Sequence, residues 1–210
     1  MALEARLWTF ALIFAAAFIL LGILVAYTHA LDRIDVAASS MMRGQATATA
    51  AIFTLSGRAI PLLVLGLLSM VAFFAFERPL WIPPAIFASQ IVSQGAVVLV
   101  KSLVARTRPD DWIVTHDLGF SFPSGHATTA IVFFGTWLLV VAVLPIDRPI
   151  KLAIAALLII WMVGIDWSRI ALGAHYLSDV LGGTLFGCAW TCTLLALLLR
   201  FGVQLPWVRG

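Results

Sequence analysis

LWTFALIFAAAFILLGILVAYTHAL, residues 7–31, lies between Arg6 and Asp32 and contains no Asp, Glu, Lys or Arg. A helix needs about 20 apolar residues to cross the hydrocarbon core of a bilayer, so this run alone is long enough. It exceeds the apolar core of a signal peptide, about 7–15 residues, and reads as a retained span. Outward from it the pattern repeats. Uncharged runs occupy Ala59–Phe76, Leu80–Val100, Ala127–Ile146, Leu152–Ile165 and Val180–Leu199. Leu152–Ile165 is short, but Lys151 can snorkel at one end and the helix can continue through Trp167. The expectation is an all-α integral membrane bundle of six transmembrane helices, one domain over residues 1–210.

Composition agrees with that reading and excludes others. The chain is 62% hydrophobic and 11% charged, with a mean hydropathy of +1.07. Soluble domains carry about 25% charged residues, so a soluble enzyme, a disordered chain and a disulfide-stapled secreted module are excluded. Thirteen Lys and Arg face ten Asp and Glu with no basic run, which leaves a nucleic-acid partner without an electrostatic footprint. Cys188 and Cys192, four apart in an apolar stretch, read as small hydrophobes on one helix face. They lack the further ligands a zinc site needs.

Between the first two spans, Asp32–Gly57 is mixed in polarity and rich in Ala and Thr. It reads as an interfacial segment, about 32–57, that runs on into the second span. Pro83-Pro84 opens the third span, and Pro145 with Pro149 brackets the turn between the fourth and fifth. An even number of spans puts both termini on one side. That side holds Arg6, Arg78, Arg148, Lys151, Arg200 and Arg209, and the other holds Arg33, Arg43, Arg58, Lys101, Arg106, Arg108 and Arg169. If Lys101, Arg108 and Arg169 serve a binding site, they leave the tally. The balance then points the termini to the cytoplasm.

Ionisable residues near a membrane core are costly and mark functional sites. Here they form three clusters: Lys101 to Arg108-Pro109, Pro123-Ser124-Gly125-His126, and Ser168-Arg169 through His175 to Asp179. Parity ties them together. The first two flank one loop, about 105–125, and two crossings later the third returns to the same side. Lys101 and Arg108 are seven apart, two helical turns, so both can face one groove before Pro109 ends the helix. With Arg169 they make three cations suited to phosphate oxygens. Ser124-Gly125 opens a helix whose free N–H groups add to anion binding. His175 and Asp179 are four apart, on one helical face. A carboxylate there fixes the imidazole tautomer and frees the other nitrogen as nucleophile or base. His126 supplies a second imidazole for general acid work. No cluster of carboxylates suggests a metal.

These segments, Lys-x6-Arg-Pro, Pro-Ser-Gly-His and Ser-Arg-x5-His-x3-Asp, resemble the pattern of the type 2 phosphatidic acid phosphatase family, the lipid phosphate phosphatases. Every signature residue has a counterpart here, in order. The resemblance implies that His175 is the nucleophile that forms a phosphohistidine, that Asp179 orients it, and that His126 protonates the leaving lipid oxygen. Lys101, Arg108 and Arg169 would hold the phosphate with help from Ser124 and the Gly125 amide, and Ser168 would make a supporting contact. It also implies metal-free chemistry with no cofactor, in the cell (inner) membrane, at a site facing away from the cytoplasm. The substrate is then a lipid phosphate. A polyprenyl diphosphate such as undecaprenyl diphosphate is the first expectation, and phosphatidylglycerol phosphate, phosphatidic acid and lipid A are alternatives. A lipid phosphotransferase and a non-catalytic phospholipid-binding protein remain open at this point.

Other polar residues read blandly. Arg106, Asp110, Asp111, His116 and Asp117 are expected in a solvated loop. Gln90 and Gln94 share a helix face and suit interhelical hydrogen bonds. Gly183-x3-Gly187 suits close helix packing, and His29, Trp8, Trp81 and Trp207 suit the membrane interface.

Overall fold

The computed structural model describes residues 2–110 and 119–201, and within them every regular element is helical. In chain order these are α1 (Ala2–Tyr27), α2 (Asp32–Met42), α3 (Thr47–Ser56), α4 (Ala59–Ala75), α5 (Ile82–Val104), α6 (Gly125–Thr129), a π-helical turn (Ala130–Gly135), α7 (Thr136–Val143), α8 (Arg148–Ala171) and α9 (Leu177–Arg200). α6, the π turn and α7 run on as one stretch, Gly125–Val143. His116, Asp111, Asp117 and Trp207 lie outside the described residues.

Among the described residues, five stretches are long and apolar enough to cross a membrane: α1, α5, Gly125–Val143, α8 and α9. A sixth is reached only if α3 and α4 count together, and they meet at a bend of 59°. The 32–57 segment therefore does not run straight into the next span. It folds as two short helices, and the chain turns at Gly57 and Arg58, the latter with extended φ −84° and ψ 161°. The short fifth run belongs to a 24-residue helix, α8, extended by polar residues at both ends.

α1 packs along α9, α3 along α8 and α4 along α5, with the Gly125–Val143 stretch in the middle against α5, α8 and α9. Leu62, Phe73, Ile82, Ile86, Phe133, Phe134 and Ile165 form the main buried cluster around that stretch. The outer faces are apolar. α1 buries only Ala11, while Leu12 is 68% and Leu103 84% exposed. Surfaces of this kind are stable in hydrocarbon and not in water.

Close packing of α9 on the start of α6 places the polar residues. A Cβ on Gly183 would lie 2.3 Å from the Ser124 carbonyl oxygen, and one on Gly187 2.7 Å from Ile131 Cβ. The Gly183-x3-Gly187 stripe is thus a helix-packing face, as expected. Gln90 and Gln94 also make the expected interhelical bonds, to Thr129 Oγ1 at 2.6 Å and the Gly125 carbonyl at 3.1 Å.

One expectation fails at the end of α5. The helix stops at Val104 because Ala105 adopts a left-handed conformation, φ 50°, and its N–H bonds the Lys101 carbonyl. Arg108 therefore does not lie two turns along the same helix as Lys101. It sits in the following loop, where Pro109 disfavours helical backbone at the preceding residue.

Candidate active site

Three chain segments meet at one end of the bundle. His175 lies in the turn before α9, and its backbone N–H bonds the Arg169 carbonyl at 3.2 Å. It is therefore not on a helix face with Asp179; the contact is made across the N-terminus of α9, with His175 Nδ1 3.4 Å from Asp179 Oδ2. Asp179 sits in the first turn of α9, where its Oδ2 accepts the Tyr176 N–H at 2.9 Å. An acid at that position is favoured by the orphan N–H groups and the helix dipole.

The hydrogen-bond pattern settles which imidazole nitrogen carries the proton. Arg108 Nη1 lies 3.2 Å from His175 Nε2, and a guanidinium can only donate. Nε2 is thus the acceptor and Nδ1 carries the hydrogen. Nδ1 lies 3.3 Å from Ser121 Oγ, whose hydroxyl in turn donates to Asp179 Oδ2. Burial, opposed by the Asp179 hydrogen bond and reinforced by the Arg169 and Arg108 charges, pushes the imidazole down to about 3. His175 is a buried neutral base whose Nε2 lone pair accepts from the Arg108 guanidinium.

The other expected residues divide between contact and support. Arg108 also donates to the carbonyls of Gly119, at 2.9 Å, and Ala174, at 3.0 Å. Lys101 Nζ donates to the Ser121 carbonyl at 3.0 Å, and so holds the loop that carries Ser121. Arg169 is buried, and its Nη1 donates to Thr54 Oγ1 at 3.1 Å. Ser168, fully buried, shares a 2.7 Å hydrogen bond with the same Thr54 hydroxyl and donates to the Ile165 carbonyl. Its contact is structural, one step behind Arg169.

Ser124 caps α6 through Ala127 N–H and donates its own N–H to the Asp179 carbonyl at 2.9 Å. This bond fastens the second motif to the third. A Cβ on Gly125 would come within 2.9 Å of Gln94 Oε1. His126 packs its ring edge on Gly57, where a Cβ would lie 2.9 Å from His126 Cδ2. It lines a cavity of about 330 Å3 together with Leu62, Phe87, Ile91 and Gln94. That cavity is mostly apolar and lies between α4, α5 and α6.

Sequence reasoning missed four contributors. Ser121 and Thr54 lie outside the three motifs. Asp35 is 1% exposed in α2, and Arg106 is not solvated: it pairs with Asp35 at 2.7 Å and with Asp179 at 2.6 Å. Despite the opposing effect of burial, those two carboxylates hold the Arg106 guanidinium above its ordinary pKa. The available signal was an acid one helical turn into an amphipathic interfacial segment, which also suits a solvated face.

The class in view is a helical membrane bundle with a buried histidine held between an aspartate and an arginine at one end. The chain belongs to the PAP2 superfamily, whose pattern matches residues 80–202. It is 34% identical over 131 residues to a lipid A 1-phosphatase of Rhizobium johnstonii, an alignment covering 56% of this chain and 48% of that one. It is 37% identical over 92 residues to phosphatidylglycerophosphatase B of Bacillus subtilis, covering 42% and 44%. The chain thus spans about half the length of these curated relatives. A crystal structure of a transmembrane PAP2 type phosphatidylglycerolphosphate phosphatase from Bacillus subtilis superimposes with a TM-score of 0.74 at 25% identity, covering 97% of this chain and 98% of that one.

Proposed function

We propose that this protein is an integral membrane lipid phosphatase that works through a phosphohistidine on His175. The observation that carries the reading is the proton placement at His175. Nδ1–H faces Ser121 and Asp179, and the Nε2 lone pair faces Arg108. Nε2 attacks phosphorus, the bond from phosphorus to the lipid oxygen breaks, and His126 gives that oxygen a proton. Negative charge on the phosphoryl oxygens is met by Arg108, Arg169 and Lys101, and by the N–H groups that open α6 at Ser124 and Gly125. Water then attacks the phosphohistidine, His126 takes its proton, and inorganic phosphate leaves. The developing positive charge on the imidazole is stabilised by Asp179.

No step calls for a metal, because three cations and a helix N-terminus already neutralise the phosphoryl group. The apolar cavity beside His126 gives the first carbons of a lipid leaving group a place next to its proton donor. The chain as a whole reads as one catalytic domain, with the bent α3–α4 pair as the second of six spans. Both termini then lie in the cytoplasm and the site faces the extracytoplasmic side of the cell membrane.

The substrate class is a phosphate carried on a lipid. Polyprenyl diphosphate is the sequence-based expectation. Lipid A 1-phosphate and phosphatidylglycerol phosphate, alternatives in the sequence reading, are raised to equal candidates by what the relatives are called. Phosphate release by the purified protein from these three and from phosphatidic acid, with His175→Ala as control, tests the reading. Release that depends on His175 is expected from at least one lipid, and kcat/KM ranks them. Release unchanged in His175→Ala, or none from any lipid by folded protein, overturns it.

A further inference from the structure

Arg106 stands between two buried carboxylates contributed by distant parts of the chain. Its Nη1 donates to Asp179 Oδ1 at 2.6 Å and to Ser178 Oγ at 2.7 Å, and its Nη2 donates to Asp35 Oδ2 at 2.7 Å. The guanidinium carbon lies 4.1 Å from the centre of the Tyr176 ring, a cation–π geometry. Asp35 completes the arrangement. Its Oδ1 accepts the Ser178 N–H at 2.9 Å and its Oδ2 accepts the Ser178 hydroxyl at 2.6 Å. The side chains of Asp35 and Asp179 are 2% and 0% exposed, and that of Arg106 is 14% exposed.

Burying three ions is costly unless each is paired and hydrogen-bonded. A simple helix cap needs no such cluster, since Asp179 already caps α9 through Tyr176 N–H. What the guanidinium adds is a division of labour on Asp179. Oδ1 is taken by Arg106, and Oδ2, which also accepts the Tyr176 N–H, is kept for Ser121 and the His175 side. Free rotation of the carboxylate is lost in the direction that keeps Oδ2 beside the imidazole. The two carboxylates and one guanidinium also leave one net negative charge next to the imidazole, which becomes positive as it is phosphorylated.

We propose that Arg106 is a positioning residue of this site: anchored on α2 by Asp35, it fixes the Asp179 carboxylate so that Oδ2 holds His175 for attack. Resting on the phosphatase reading, the inference adds a fourth chain segment, α2, to the catalytic apparatus. A positioning residue acts on the chemical step and not on substrate binding, so it appears in kcat with KM steady.

The test compares wild type, Arg106→Lys, Arg106→Gln and Asp35→Asn, each purified as a folded monodisperse peak and assayed well below its own Tm on the preferred lipid. Arg106→Gln is expected to lower kcat by about 10- to 100-fold, the worth of a charge-assisted hydrogen bond, with KM within about twofold. Arg106→Lys should recover part of the loss by restoring the charge without the fork, and Asp35→Asn should fall between wild type and Arg106→Gln. Wild-type kcat in Arg106→Gln, or a loss confined to KM, overturns the proposal. So does failure of even Arg106→Lys to fold, which would make the cluster purely structural. Failure of the phosphatase reading is distinct: wild-type protein then releases no phosphate, or His175→Ala releases as much, and the positioning role falls with it.

Discussion

In the proposed mechanism His175 combines two demands that water would set against each other: it is buried, yet it has to present a lone pair to an anion. The protein meets both by holding the ring neutral, since burial takes its pKa down to about 3. The folded value lies below the unfolded value of about 6.5. The stability this contributes is therefore complete above pH 6.5 and is lost as the pH falls from there toward 3. Thermal unfolding should show Tm dropping over that window, and His175→Asn should flatten the drop; an identical profile in the variant would count against a buried neutral imidazole. Ser121 carries the second residue-scale prediction. Its hydroxyl links Nδ1 to Asp179, so Ser121→Ala is expected to lower kcat about tenfold with little change in KM. For His126, the expected signature is selectivity by leaving group. His126→Ala should slow release from a lipid far more than from a nitrophenyl phosphate, whose leaving oxygen needs no proton, and equal losses on both would remove it from the role of acid.

Among the elements, α9 does the placing. Its first turn holds Asp179, its small residues let α6 approach, and the Ser124 N–H closes the contact on the Asp179 carbonyl. Gly183→Ala would put a methyl carbon 2.3 Å from the Ser124 oxygen. A cost of about 1–3 kcal/mol in stability is expected, measurable as a lower Tm in detergent, together with a lower kcat because Ser124 is displaced. An unchanged Tm would mean that the helices part without penalty. The helices themselves were legible in the sequence because a lipid solvent demands long uncharged runs, and the three motifs were legible because ionised side chains are rare beside them. The bend at Gly57 and Arg58 had a local signal that went unused: Pro61, in the first turn of α4, has no N–H for the Gly57 carbonyl and prevents one helix from running through. The left-handed Ala105 was hidden because alanine favours helix; beyond it Arg106 and Arg108 dock on Asp35, Asp179 and His175. Asp35 and Ser121 escaped because their partners are 143 and 58 residues away, beyond the reach of any local spacing.

At the level of the whole molecule, charged side chains lie at both ends of an apolar bundle, but the buried ones, Asp35, Arg169 and Asp179, lie at the His175 end; in the proposed reading a phosphate meets His175 there while lipid chains stay among the helices. In the proposed mechanism three cations and the start of α6 supply the electrostatics, so phosphate release is expected to persist in excess chelator; a strict divalent requirement restored by one metal would contradict that. Everything turns on whether the phosphoryl group passes through His175. The most direct test is rapid acid-free quenching of the enzyme with a lipid carrying labelled phosphate, followed by peptide mapping. The account predicts label on the His175 peptide, stable to base and labile to acid, and absent from His175→Asn protein. Phosphate release at full rate with no labelled protein at any quench time, or label that survives His175→Asn, would contradict it.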